Sequence, residues 1–274
     1  MSNYRTSSLF HYITYNGLKS ILKQGIIPNY CKEDFSIDGD RFAIGIPMVS
    51  FCDIPLTRTK EFTKRYGHHA IGLSKEWALK NRINPILYIN DENIITSLKF
   101  YKEYELYSKA EMETGKISSI DLKIDPVKVR YPSDNYKSSH NANLSLFGFS
   151  KKYMGINPHT GKSQCNYEEN EWRFILKEEE GILWKWGETA YSSWRGKPKE
   201  KKPGPDEFLK ANTLKFGIDD ISYIIVQFEN QRIGIINYIS RLTRLCESDP
   251  SLDENSKKIL FSKIISMERI DKDF

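Results

Sequence analysis

The run PMVSFCDIPL at residues 47–56 is the stretch that says most about the fold. Its apolar part, 47–54, is bounded by prolines, and a short apolar run with such boundaries is typical of a strand buried within a sheet. SLFHYIT at 8–14 is rich in aromatic and β-branched residues and predicts a second strand. ISYIIVQF at 221–228 is the most hydrophobic run and predicts a third. The chain therefore has a sheet at its core.

Helical patterns alternate irregularly with these strands. Leu18, Ile21 and Leu22 keep helical spacing before Gly25, and Ser74 is placed to cap a helix after a strand at 70–73. Strands are also predicted at 85–89, 127–131 and 172–176, and helices at 58–66, 91–112, 232–246 and 251–265. Because no strict βαβ rhythm appears, we predict an α+β fold: a twisted mixed β-sheet flanked by helices.

We expect one core domain over residues 1–230 and a C-terminal helical extension over 231–274 that packs on it. GKPKEKKPGP at 196–205 is basic and rich in proline and glycine, which predicts an exposed, flexible loop. The hydrophobic content of 39% and the aromatic content of 13% are enough for an ordered core.

Composition also excludes several classes of protein. The net charge of +5 arises from 41 basic and 36 acidic residues, which permits anionic ligands without indicating a DNA-binding protein. The four cysteines form no CxxC pair, and no run approaches the roughly 20 apolar residues of a membrane span. We expect a soluble cytoplasmic protein without a metal site. P-loop, Rossmann, zincin and nucleophile-elbow motifs are absent from the sequence.

The segment YEENEWRFI at 167–175 carries the clearest candidate chemistry. Strand alternation places Glu171 and Arg173 on one face, and Trp172 and Phe174 on the other. One interpretation is a structural Glu171–Arg173 pair on a solvent-facing strand. The other is that Glu171 stabilises positive charge developing on a substrate sugar.

Three further polar positions lie in or beside the early strands. His11 is either a ligand-binding histidine or a satisfied core histidine. Cys52 has no neighbouring charge in sequence that would lower its pKa, which favours a small buried hydrophobe over a nucleophile. Asp53 either points into a cleft or caps the following turn.

Five segments together resemble the AbiGi family of abortive-infection phage-resistance proteins. They are SLFHYITYNGLKSILKQGIIP at 8–28, PMVSFCDIPL at 47–56, YGHHAIGLSKEWALKN at 66–81, NPILYI at 84–89 and ENEWRFI at 169–175. The resemblance implies an antitoxin-like protein whose partner is a nucleotidyltransferase-like toxin encoded by a neighbouring gene.

A more distant resemblance is to DarT-like ADP-ribosyltransferase folds, which have an early strand with a histidine and a late strand with a glutamate. It implies NAD as cofactor, His11 as a ribose contact and Glu171 as the catalytic carboxylate. Tyr12, Tyr15 and Tyr66 are then alternatives for stacking on nicotinamide.

The sequence leaves two functions open. The chain is either an NAD-consuming enzyme that modifies nucleic acid or protein, or a non-catalytic protein that restrains a toxin. Nucleic-acid binding through the basic loop is a third alternative.

Overall fold

The computed structural model describes residues 6–36, 43–58, 63, 66–97, 145–156, 161–176, 207–247 and 251–273. The strands are β1 Ser8–Ile13, β2 Asn29–Asp34, β3 Ala43–Cys52, β4 His69–Ser74, β5 Asn84–Pro85, β6 Leu87–Ile89, β7 Ser150–Lys152, β8 Met154–Ile156, β9 Ser163–Cys165, β10 Glu171–Ile175, β11 Ile221–Val226 and β12 Ile264–Ser266. The α-helices are α1 Tyr15–Gln24, α2 Lys75–Lys80, α3 Glu207–Ala211, α4 Glu229–Ser240, α5 Glu254–Ser262 and α6 Met267–Asp273. The α+β class is confirmed.

In the part of the chain that the structure describes, eight strands form the main sheet in the order β12-β11-β4-β1-β3-β10-β5, with β2 also paired to β3. The β11–β12 pair is parallel, whereas the other pairs in this sheet are antiparallel. The predicted mixed sheet is therefore present. Two small two-stranded sheets, β6–β7 and β8–β9, lie outside it.

Strand β3 organises the sheet because three other strands pair with it. Cys52 pairs with Phe10 of β1 on one edge and with Glu171 of β10 on the other. Met48 likewise lies between β2 and β10. Strands β1 and β2 thus follow each other along one edge of β3, and β10 occupies the opposite edge.

The two faces of this sheet pack against different cores. Val49 and Phe51 belong to the larger core, which also includes Leu22 of α1 and Ile235 of α4. Cys52 is on the other face, where it packs with Phe10 and the C-terminal helix. Successive side chains on a strand point to opposite faces, so this division follows from β3's alternation.

Helix ends agree with the sequence signals. The Thr14 side chain accepts from the Gly17 backbone N–H at the start of α1, and Gly25 ends α1 with φ 91°. The Ser74 hydroxyl accepts from the Trp77 backbone N–H, so the predicted cap of α2 is confirmed.

Two regions differ from the predicted elements. The single strand expected at 85–89 is divided: Pro85 pairs with β10 in the main sheet, whereas β6 pairs in parallel with β7. The C-terminal segment 231–274, predicted as a helical extension, also contributes strand β12 to the main sheet.

Some predictions lie wholly or largely outside the described residues. These are the strand at 127–131, the basic loop at 196–205 and most of the helices at 58–66 and 91–112, of which 63, 66 and 92–97 are described as helical. Within the described ranges, none of the helices has the length and apolar character needed to cross a membrane.

Candidate functional site

Arg173 is the centre of the candidate site, and its side chain is entirely buried. Its Nε and Nη2 atoms donate to the two carboxylate oxygens of Glu171 at 2.8 and 3.1 Å. Nη2 also donates to Glu33 Oε1 at 2.6 Å, and Nη1 donates to the carbonyl oxygens of Gly148 and Ser150 at 2.8 and 3.3 Å. A guanidinium has five N–H donors, and these five contacts use all of them.

The carboxylate of Glu171 also accepts several hydrogen bonds. Besides the two bonds from Arg173, its Oε2 accepts from Lys151 Nζ at 3.0 Å, and its side chain is only 6% exposed. Burial alone would raise the pKa of Glu171, but the charges of Arg173 and Lys151 outweigh it and hold the pKa well below its usual range. Glu171 is therefore an ionised carboxylate surrounded by internal cations. The predicted pair with Arg173 is present, but the predicted solvent-facing position is wrong.

The contacts continue towards the surface through Glu169. Lys151 Nζ donates to Glu169 Oε2 at 2.7 Å, and the Tyr66 hydroxyl donates to Glu169 Oε1 at 2.6 Å. We call the connected group Glu33, Lys151, Glu169, Glu171 and Arg173 the buried ion network. It joins β2, β7 and β10 with the 166–169 turn.

Burial and neighbouring charges have different net effects on the pKa values of Glu33 and Lys151. Burial raises the pKa of Glu33, and the charges of Arg173 and Lys151 counteract this only partly. Burial opposes the charge of Lys151, yet the carboxylates of Glu171, Glu33 and Glu169 together raise its pKa well above the usual range. Three carboxylates thus share two cations.

His11 lies on the opposite face of the sheet from Glu171. Phe10, Cys52 and Glu171 are directly paired across three strands and share a face, so the next residue, His11, points to the other side. There its ring packs 5.6 Å from the Phe51 ring, and Nδ1 lies 2.8 Å from the Ser50 carbonyl oxygen. Burial lowers the pKa of His11. The structure therefore does not bring His11 and Glu171 together across a cleft.

The three candidate stacking tyrosines occupy different environments. Tyr12 is buried in the apolar cluster on the Glu171 face. Tyr15 packs 5.2 Å from the His69 ring, with Lys19 Nζ 4.3 Å above its own ring. Tyr66 is connected to Glu171 through Glu169 and Lys151.

The two other polar candidates, Asp53 and Cys52, lie in different environments. Asp53 accepts from Lys75 Nζ at 2.7 Å and from the Thr6 hydroxyl at 2.8 Å, which ties the end of β3 to the start of α2. Burial raises the pKa of the Cys52 thiol far above its usual range, and the charges of Glu171 and Glu169 add to that effect. A thiol whose pKa is raised in this way is a weak nucleophile at neutral pH.

Sequence reasoning did not single out Lys151, Glu33 or Glu169. Glu33 and Lys151 are far from Glu171 in the chain and belong to no motif, so only the tertiary structure shows their role. Glu169 had one available signal, because it lies two residues before Glu171 in the quoted segment ENEWRFI. In the described ranges, no three His, Cys, Asp or Glu side chains form a group that could hold a metal ion.

Together these features define a class of protein: an α+β protein on a mixed sheet whose late strand carries an internally paired glutamate and arginine. The chain belongs to the AbiGi family. Residues 24–227 match the family model described as "Putative abortive phage resistance protein AbiGi, antitoxin", which confirms the resemblance seen in the sequence.

A curated relative agrees with this assignment. The chain is 25% identical over 246 residues to the "Abortive phage resistance protein AbiGi" of Lactococcus lactis subsp. cremoris, and the match covers 84% of this chain and 89% of the relative. No solved structure gives a significant match. The more distant resemblance to ADP-ribosyltransferase folds stays a prediction.

Proposed function

We propose that this protein acts in abortive phage resistance as an antitoxin, restraining a toxin partner by binding it rather than by consuming NAD. The family model and the relative are both described in terms of phage resistance, and the family description adds the word antitoxin. The sequence resemblance implies that the toxin is nucleotidyltransferase-like and encoded by a neighbouring gene.

The proposal rests on the hydrogen bonds and burial of the Glu171 carboxylate. A carboxylate that stabilises an oxocarbenium-like centre must face that centre. Here both oxygens of Glu171 accept from Arg173, and Oε2 also accepts from Lys151. Opening this arrangement would leave buried charges without partners, which costs several kcal/mol. Glu171 is better suited to holding strands together than to contacting a substrate.

The position of His11 supports the same function. A site that uses both residues needs them on one side of the sheet, whereas His11 packs against Phe51 on the side opposite Glu171. The two residues most suggestive of NAD chemistry therefore serve separate parts of the fold.

Co-expression with the protein encoded by the neighbouring gene tests this function. We expect the two chains to co-purify and the antitoxin to restore growth of cells that make the toxin. Absence of both a complex and a growth effect would contradict the proposal.

NAD consumption has its own direct assay. Purified protein is incubated with labelled NAD and either nucleic acid or the partner protein as acceptor, beside Glu171→Gln. Under our proposal neither protein transfers label. Transfer by the wild type that disappears in folded Glu171→Gln would favour the enzyme instead.

A further inference from the structure

A group of tyrosines lies directly outside the buried ion network. The rings of Tyr153 and Tyr167 are stacked, with centroids 5.7 Å apart and planes 24° from parallel. Tyr88 meets Tyr167 edge-on at 5.3 Å. Tyr66, Tyr153 and Tyr167 are exposed, and we call these three with Tyr88 the tyrosine face. An exposed group of aromatic rings is more typical of an interface than of ordinary protein surface.

Two of the four tyrosines are hydrogen-bonded to residues Glu169 and Glu171. The Tyr66 hydroxyl donates to Glu169, and the Tyr88 hydroxyl accepts from the Glu171 backbone N–H at 2.8 Å. Tyr167 belongs to the same 166–169 turn as Glu169. Because these hydrogen bonds hold the Tyr66 and Tyr88 rings, those two rings have little conformational entropy left to lose on binding. Rigid aromatic side chains of this kind are common hot spots of protein interfaces.

Charge indicates the kind of partner. With its three carboxylates ionised against two cations, the buried ion network has a formal charge of one negative. The faces of the tyrosine rings are also electron-rich and attract cations. A phosphodiester backbone would meet this negative charge unfavourably, whereas an arginine or lysine among apolar side chains would meet it favourably.

We propose that the tyrosine face is the surface on which the partner protein docks, and that the partner places a cationic side chain over these rings. This inference rests on the proposed antitoxin function. It adds the location of the interface and the chemistry of the residue opposite it.

The test measures the affinity of the purified neighbouring-gene protein for four variants. Tyr167→Ala removes a ring that is 53% exposed, and Phe228→Ala is a matched control because that ring is 48% exposed at the start of α4. We expect Tyr167→Ala to weaken binding about tenfold or more, with Phe228→Ala within about twofold of wild type. The thermal unfolding temperatures of Tyr167→Ala and Phe228→Ala should change by similar amounts relative to wild type.

Two substitutions of opposite charge at position 167 test whether the partner residue is cationic. Tyr167→Lys and Tyr167→Glu both remove the ring, but Lys repels a cation and Glu attracts it. We expect Tyr167→Lys to bind more weakly than Tyr167→Glu, by about tenfold at low salt and less at high salt.

The possible failures are distinguishable. If the wild type does not bind the neighbouring-gene protein at all, the proposed function itself fails. If the wild type binds and Tyr167→Ala binds equally well, the tyrosine face is not the interface. Equal affinity of Tyr167→Lys and Tyr167→Glu would overturn the proposal that the partner residue is cationic. Stronger binding of Tyr167→Lys with capture of RNA would indicate a nucleic-acid surface instead.

Discussion

Arg173 is fully buried, and each of its N–H groups has an acceptor. A buried ion pair of this kind is not by itself strong evidence of stability, because desolvation offsets much of the attraction. Removing one partner is different, since the remaining charge stays buried without compensation. The contribution of Arg173 to stability is therefore best measured by replacing it.

Arg173→Met should destabilise the protein by about 3–5 kcal/mol, because Glu33 and Glu171 lose their shared cation. Urea unfolding measures this loss. Lys210→Met is the matched control, since the Lys210–Glu207 pair at 3.1 Å lies on the surface with Glu207 93% exposed. Its removal should cost less than about 1 kcal/mol. Equal effects of the two substitutions would show that Arg173 has no special structural role.

The lowered pKa of Glu171 predicts a particular pH dependence. A carboxyl whose pKa is lower in the folded state adds stability above its unfolded value of about 4.3, and that stability is lost as pH falls towards the folded pKa. Wild type should therefore be more stable than Glu171→Gln at about pH 7, and the difference should shrink below about pH 4. Urea unfolding at several pH values measures this difference, and a difference that does not change with pH would contradict the assignment.

Glu33 should behave in the opposite way. Because burial raises the pKa of Glu33, its ionisation costs stability at neutral pH, and this cost disappears as pH falls. Glu33→Gln should thus destabilise the protein less at about pH 7 than Glu171→Gln does, as compared by the same unfolding experiment. A larger loss for Glu33→Gln would show that its ion pair with Arg173 dominates over desolvation.

At this scale, sequence alternation correctly placed Glu171 and Arg173 on one face, because a strand's period of two is a local property. The burial of that face could not be predicted in the same way. It depends on Glu33 and Lys151, which reach the site from distant strands.

For helices and strands, local sequence patterns located most of the described helices and the central strands. The residues at which the strands begin and end were determined by strand pairing. Strand β3 extends back to Ala43 because Asn29–Asp34 pairs with residues 43–48, beyond the apolar run that predicted it. The strand expected at 85–89 divides because Pro85 and β6 pair in different sheets. Such partners lie far away in sequence and leave no local pattern.

Gly25 provides a test of one such limit, the end of α1. Its φ is +91°, and an added Cβ would lie 2.6 Å from the Leu214 carbonyl oxygen, so Gly25→Ala meets both backbone strain and a clash. Gly161 has φ +66°, but among the described residues no atom beyond its chain neighbours lies within 4 Å of the same position. Gly161→Ala should therefore cost only about 1–2 kcal/mol. Gly25→Ala should cost clearly more in thermal or urea unfolding, and equal costs would show that the contact with Leu214 yields easily.

At the scale of the whole molecule, the C-terminal segment is part of the core. Strand β12 was not predicted because Ile264 and Ile265 fit the end of an expected helix, and only the parallel partner β11 makes them a strand. Ile264, Met267 and Ile270 are buried against the sheet.

A chain that ends at residue 263 should lose cooperative unfolding or aggregate. It lacks three buried apolar side chains, each contributing about 1.5–3 kcal/mol, and this sum is comparable to the stability of a whole domain. A chain that ends at residue 270 keeps all three and should stay folded. Thermal unfolding and gel filtration compare the two, and similar behaviour would contradict a core role for β12 and α6.

We propose that Glu171 supports the fold and that the protein acts by binding its partner. The most direct measurement is the growth of cells that make the neighbouring-gene toxin together with either wild-type protein or Glu171→Gln, at a temperature where both are shown to be folded. We predict that both proteins restore growth. Restoration by the wild type alone, with Glu171→Gln folded and equally abundant, would contradict the claim.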